Sequence, residues 1–232
     1  MNFEILETGS SGNATLIEGR ILIDCGIAYS RIEPYAPELQ IVLLTHRHGD
    51  HFTKSTVRRL ARQRPTLRWA GGDWMIGPLL EAGVDRRNID ALDMDSWYTY
   101  AMPEGPIKVC AFETQHDVQN CGWRIRRGPN DALFYATDLG SLDGIKAKGY
   151  THYLLEANYR DAELQERMEE KLEAGAFAYE SRAAAVHLSW EQATEWLQEN
   201  MAPWSVWIPM HGHQEREKTD GREENADAEG HG

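Results

Sequence analysis

One short segment constrains this chain more than the rest of it together. Directly after the apolar run Gln40-Ile41-Val42-Leu43-Leu44 comes Thr45-His46-Arg47-His48-Gly49-Asp50-His51, which sets three histidines and an aspartate within six positions. An unbroken apolar run of this kind reads as a strand buried on both faces, so the strand delivers the histidines from the core. Neutral imidazole and carboxylate are the ligand types that zinc and neighbouring transition metals prefer, and a loop can fold such closely spaced groups around two adjacent ions. A solvent-facing polar loop has no need of that composition, and we read the segment as metal-binding.

The surrounding pattern is that of alternating strands and helices. Phe3 to Thr8 reads as an edge strand, Ala14 to Glu18 and Arg20 to Asp24 as a hairpin around Glu18-Gly19-Arg20, and Thr53 to Gln63 as a helix stopped by Pro65. Strands are predicted at Ile107 to Phe112, Trp123 to Arg126, Ala132 to Thr137, His152 to Glu156 and Ser205 to Pro209. Asp161 to Leu172 reads as a charged helix, and Ser189 to Asn200 as a second one with Ser189 as its N-cap. With 232 residues, 41% of them hydrophobic, the chain is long enough for one layered domain, expected over 1–213. The stretch 214–232 carries seven acidic against three basic residues and is expected to be an acidic, disordered tail.

Other bulk properties bear on location and partners. No stretch approaches the roughly 20 apolar residues needed to span a bilayer, and the N-terminus lacks a basic region followed by an apolar run. Cys25, Cys110 and Cys121 are odd in number and widely spaced, which fits reduced core thiols and a cytoplasmic setting. The net charge of -13 argues at first sight against a polyanionic substrate. The tail supplies part of that charge, however, and bound cations would offset metal-ligating aspartates. Arginines gather at Arg58, Arg59, Arg62, Arg64 and Arg68 and again at Arg124, Arg126 and Arg127. Such clusters are either a solvated face or a phosphate-binding patch. Trp190, Trp196, Trp204 and Trp207 crowd near the end of the fold, where core packing is their first reading. A subunit interface in a homo-oligomer or base stacking is the other.

At the histidine segment the chain resembles the metallo-β-lactamase fold superfamily, an α/β class with a four-layer αββα sandwich. By that resemblance His46, His48 and His116 would hold one ion, Asp50, His51 and His211 a second, and Asp138 would bridge the two. His213 competes with His211 for the last place, and the strand-end position favours His211. Asp24 is expected to orient a ligand histidine or the loop without touching metal. Four further stretches are similar to the small YycJ (WalJ)-type nucleases of the ribonuclease Z-like branch: Gly9-Ser10-Ser11-Gly12-Asn13, Leu22-Ile23-Asp24-Cys25-Gly26, Leu155-Glu156-Ala157-Asn158 and Val186-His187-Leu188-Ser189-Trp190-Glu191. Relatives place His-Asp after the asparagine of the third stretch, whereas this chain has Tyr159 and Arg160.

The expectation from residues and resemblance together is a metal-dependent hydrolase with two divalent ions, zinc first and manganese second. A hydroxide between the ions would attack a phosphodiester in a nucleic acid or nucleotide. Asp50, Asp138 and His187 are the expected catalytic residues. Asp138 would orient the nucleophile, and His187 would steady the phosphate or protonate the leaving oxygen. The alternatives are a cyclic mononucleotide phosphodiesterase like those of some small phage-borne relatives, a lactone or thioester hydrolase, and a non-catalytic protein that uses metal only to fold.

Overall fold

The computed structural model describes residues 1–173 and 185–212; the tail at 214–232 and His213 lie outside the described residues. The first sheet consists of β1 (Phe3–Glu7), β2 (Ala14–Ile17), β3 (Ile21–Ile23), β4 (Ile41–Leu43), β5 (Arg68–Gly71) and β6 (Ile89–Ala91), paired in chain order. Its first three strands run antiparallel, and β3 through β6 run parallel. The second sheet consists of β7 (Trp97–Tyr100), β8 (Ile107–Thr114), β9 (Asn120–Arg126), β10 (Ala132–Ala136), β11 (His152–Glu156) and β12 (Val206–Met210). It is antiparallel up to β10 and parallel from β10 to β12. The helices are α1 (Tyr29–Ile32), α2 (Lys54–Gln63), α3 (Ile76–Ala82), α4 (Asp161–Glu173) and α5 (Trp190–Asn200).

Side-chain alternation along the central strands explains why the layers stack as they do. Successive strand residues point to opposite faces. Ile21, Ile23, Ile41 and Leu43 enter one buried cluster with Val109, Trp123, Leu133, Tyr135 and Leu154 of the second sheet, which is the contact between the sheets. Leu22 and Val42 face the other way, into a cluster with Val57, Leu60 and Leu79 from α2 and α3. Phe134 and Leu155 of the second sheet likewise pack with Ala193 and Leu197 of α5. The order is therefore helix, sheet, sheet, helix. An apolar run such as Ile41-Val42-Leu43 follows from it, because both faces of β4 are covered.

The strands and helices expected from the sequence are present with ends shifted by a few residues. Ser189 caps α5 reciprocally: its side chain accepts from the Gln192 amide while the Gln192 side chain accepts from the Ser189 amide. The pattern alone did not resolve β5, β6, β7 or α3. These strands have only three or four residues, too few for a period to register.

The loop after β4 is stitched to the turn after β3 and to the loop before β2. The Asn13 amide donates to the Asp50 carbonyl (2.6 Å), and the Cys25 amide to the His51 carbonyl (2.8 Å). This closeness requires Gly26, where an added Cβ would lie 1.6 Å from the Asp50 carbonyl oxygen. We predict that Gly26→Ala displaces the histidine loop and costs about 3 kcal/mol or more, toward the upper end of overpacking penalties. Gly77 in α3 has open space around its Cα, and Gly77→Ala should add up to about 1 kcal/mol. Urea midpoints compare the two, and a wild-type midpoint for Gly26→Ala would contradict the packing argument.

Candidate metal centre

The histidines and carboxylates meet at the C-terminal ends of strands from both sheets. β3 leads to Asp24, β4 to His46 through His51, β8 to His116, β10 to Asp138, β11 to Glu156 and Asn158, and β12 to His211. This is the edge at which open sheets with parallel strands place their ligands. Three of these residues bend the chain in a way that L-residues seldom adopt: Asp24 (φ 62°), Asp138 (φ 57°) and His211 (φ 54°) are left-handed. Asp24 and His211 follow directly on a strand and Asp138 one residue later, so the turn re-aims each side chain from the sheet face toward the common edge. Strain held in this way is what tightly determined functional loops carry.

The side chains form four overlapping groups able to hold a metal ion: His46, His48 and His116; His46, His51 and Asp138; Asp50, His51 and His211; and Asp138, Glu156, His187 and His211. In the first, His48 Nδ1 lies 3.1 Å from His46 Nε2 and 3.3 Å from His116 Nε2. Nitrogens on a tetrahedral zinc with bonds of about 2.0–2.1 Å are spaced by roughly 3.3 Å, so the separations suit such an ion. In the third, Asp50 Oδ2 is 3.7 Å from both His51 Nε2 and His211 Nε2. Asp138 reaches to 2.8 Å from His51 Nε2 and 3.5 Å from His211 Nε2. His211 Nε2 is buried with no hydrogen-bond partner, its nearest carboxylate oxygens standing 3.5 and 3.7 Å away, an arrangement that costs free energy unless something else satisfies it.

The outward nitrogens have partners of their own. His51 Nδ1 is 2.7 Å from Asp24, His46 Nδ1 is 3.0 Å from the Thr45 hydroxyl, and His116 Nδ1 is 3.2 Å from the Val186 carbonyl. His211 Nδ1 is 3.2 Å from Glu156, and His48 Nε2 is 3.4 Å from Asp117. An outer nitrogen that donates leaves the inner one as a lone pair, the usual support for a ligating imidazole. Asp24 does more than face His51, since it also accepts from the Thr45 amide (2.9 Å) and hydroxyl. Its carboxylate thereby ties the start of the histidine loop to the ring near its end.

Charge agrees with the donor chemistry. Asp24, Asp138 and Glu156 are buried and Asp50 half-buried; ionised, these four carboxylates match two divalent cations, with every imidazole neutral. Without cations the protons must be shared among the rings. Burial disfavours a charged His51, yet Asp138 and Asp24 raise it well above the ordinary histidine range. Burial likewise opposes a charged His211, and Asp138, Asp50 and Glu156 raise it to about 10. Burial would raise Asp138, but His51 and His211 hold it well below the usual carboxylate range. Burial, followed by the neighbouring His51, drives His46 well down. The residues therefore fit a pair of divalent ions, which would take over the neutralisation that these shared protons provide.

The expected ligands His46, His48, Asp50, His51, His116, Asp138 and His211 lie in this cluster, with Asp24 and His187 against it, while His213 lies outside the described residues. His187 sits beside it, with Nδ1 2.7 Å from Glu156 and its ring stacked on His211 at 5.2 Å. The sequence pattern assigns Glu156 no role, although its carboxylate is fully buried and also accepts from the Leu139 and Leu188 amides at 3.0 and 3.4 Å. The available signal was a lone acid closing the apolar strand His152-Tyr153-Leu154-Leu155. Asn13 (2.8 Å from His51 Nε2), Asp117 and Asn158 were also without an assigned role.

The arginine clusters divide between the two readings. Arg68 pairs with Asp90, Arg124 with Asp95 (2.8 Å), and Arg127 with Glu18 (2.7 Å) and Asp131. Arg126 lies over Trp97 and Tyr150, and Arg64 donates to the Ala36 and Pro37 carbonyls. These residues hold structure together, whereas Arg58 and Arg62 are exposed on α2. Of the four tryptophans, Trp196 packs on Phe134 and Trp207 on Trp190, while Trp204 is exposed. The three cysteines are buried and free, and no described helix is long and apolar enough to cross a membrane.

Solved structures share this fold. The metallo-β-lactamase fold protein YhfI from Bacillus subtilis aligns at TM-score 0.68 and 21% identity, over 90% of this chain and 85% of its own. The short form of human tRNase Z (ELAC1) aligns at 0.64 and 15%, over 91% and 92%. A diphosphatase from the PhnP family aligns at 0.62 and 13%, over 90% and 86%. Comparison with curated proteins finds no significant match in sequence. The sequence profile of the Beta-lactamase superfamily domain matches residues 19–211. That span runs from the β2–β3 hairpin to the last strand-end histidine, and the chain belongs to the metallo-β-lactamase fold superfamily of hydrolytic enzymes.

Proposed function

We propose that this protein is a binuclear metal-dependent phosphodiesterase acting on nucleic acid. The observation that carries the reading is the convergence of seven nitrogen- and oxygen-bearing side chains, among which the buried Asp138 groups with His46 and His51 on one side and with His211 on the other. His46, His48 and His116 would hold one ion, Asp50, His51 and His211 the other, and Asp138 would lie between them. Divalent ions so placed would lower the pKa of a water and neutralise charge developing on a phosphoryl group. Zinc suits the histidine-rich set, and manganese fits its carboxylates.

The chain's own residues set where a substrate can approach. His46, His51 and His211 are closed off, while His48, Asp50 and His187 are partly open and form the mouth. Glu156 fixes His187 through Nδ1, which leaves Nε2 as the nitrogen to meet a phosphoryl oxygen or protonate a leaving oxygen. Asp138, held by its left-handed turn and by Asn120 donating to its carbonyl (2.6 Å), keeps its carboxylate aimed between the two groups to orient the attacking water. Neighbours described as a tRNase Z and a diphosphatase support phosphate-ester chemistry in this fold. One observation favours a smaller substrate, a cyclic mononucleotide: most of the clustered arginines are engaged within the protein.

Alanine at His48 or Asp50 should remove bound metal and turnover together, and chelation should do the same to the wild type, reversibly on return of zinc or manganese. Asp24→Asn should weaken metal affinity by about 10–100-fold, as loss of an orienting partner does. His187→Ala should keep its metal while kcat falls about 10²–10⁴-fold. Metal content by mass spectrometry and rates on a phosphodiester check all three, and full activity in His48→Ala would sink the assignment. Raising salt from 50 to 200 mM should weaken binding of single-stranded nucleic acid roughly twentyfold for about three phosphate contacts. A flat salt response combined with efficient turnover of a cyclic mononucleotide would favour the smaller substrate.

A further inference from the structure

A cleft of about 460 Å³ opens beside the metal centre, lined in part by Thr8, Asn158, Arg160, Arg167, Trp190 and Gly212. It shares a wall with the centre at His211. The Thr8 hydroxyl accepts from the His211 amide (2.9 Å), Asn158 Nδ2 donates to the His211 carbonyl (2.7 Å), and Gly212 is the next residue in the chain. The cleft therefore begins one residue away from the cluster, on the side where the chain leaves β12.

Its floor is built rather than incidental. Tyr159 and Ser189 form a β-bridge, the Trp190 amide donates to the Tyr159 carbonyl (2.8 Å), and the Asn158 amide donates to Leu188 (2.9 Å). Trp190 is braced edge-on against Trp207 at 5.1 Å, and the Trp207 indole donates to the Leu155 carbonyl (3.3 Å). The Arg160 guanidinium lies over the Trp190 ring at 4.8 Å, so an otherwise mobile cation is held by an aromatic face. Arg167, within α4, lines the same cleft. Its one described partner is Glu163 at 3.6 Å, a partly exposed (i,i+4) pair that contributes little and leaves the guanidinium free to turn to another anion.

We propose that this cleft is a subsite for the phosphate next to the scissile one, so that the substrate is an oligonucleotide strand rather than a cyclic mononucleotide. The proposal rests on the phosphodiesterase reading above. A chain with a net charge of -13 repels a polyanion unless cations stand where the strand must lie. Two guanidinium forks beside His211 provide that, and their planar donor geometry matches phosphate oxygens. The stacked Arg160–Trp190 pair also offers a flat surface on which a flanking base can rest.

The test compares two substrates on the zinc- or manganese-loaded protein. One is a single-stranded trinucleotide; the other is bis(4-nitrophenyl) phosphate, a phosphodiester with no neighbouring phosphate. The Arg160→Gln/Arg167→Gln variant should lower the ratio of kcat/KM for the trinucleotide to that for the small diester at least tenfold. The change should come through KM, with a shallower salt dependence for the trinucleotide. An unchanged ratio in a folded, metal-loaded variant overturns the subsite and leaves the phosphodiesterase reading standing. A wild-type protein that hydrolyses neither substrate overturns both.

Discussion

The molecule is organised around a charge problem. Four carboxylates and the histidine rings between them are gathered where strands of two sheets end, largely out of water. Buried charge of one sign is tolerated only when it is paired or binds metal. The left-handed turns at Asp24, Asp138 and His211, the lack of a side chain at Gly26, and the Asp24 bonds to Thr45 and His51 all serve to bring these groups together. The left-handed turns and the gathering of buried carboxylates carry a cost that the fold alone does not repay. The cost is recovered if divalent cations occupy the centre, and this links the family's hydrolytic chemistry to the backbone conformation of this chain.

Much of this was legible in the sequence because its signals are local. The run Ile41-Val42-Leu43 had to be covered on both faces, and histidines two and five positions apart after it had to share a loop. The later residues His116, Asp138 and His211 came from the resemblance and not from local pattern, and the structure brings all three to the His46 loop. What stayed hidden depends on contacts between distant parts of the chain. Glu156 resembles any acid at a strand end until His187 and His211 are seen on its carboxylate. Arg68 looks basic and available until Asp90 is found beside it on the neighbouring strand. The short strands β5 to β7 have too few residues to show a period, and tertiary pairing alone makes them strands.

The position of the remaining free cations then bears on substrate. Arginines on the sheets are largely spent on internal pairs and ring contacts. Those beside His211 differ, because Arg160 is fixed on Trp190 at the edge of the centre and Arg167 is only loosely paired. Under the proposed phosphodiesterase reading, this local placement of charge against an acidic background would suit a strand gripped near the scissile position better than one bound along its length.

The proposed binuclear centre holds two cations together within this one set of side chains. Anomalous diffraction from crystals grown with zinc or manganese tests it directly. The account predicts two peaks about 3.5–4 Å apart, one bounded by His46, His48 and His116 and the other by Asp50, His51 and His211, with Asp138 in contact with both. A single fully occupied ion with the second group turned away from it, or ions bound elsewhere while the cluster keeps its shared protons, would contradict it.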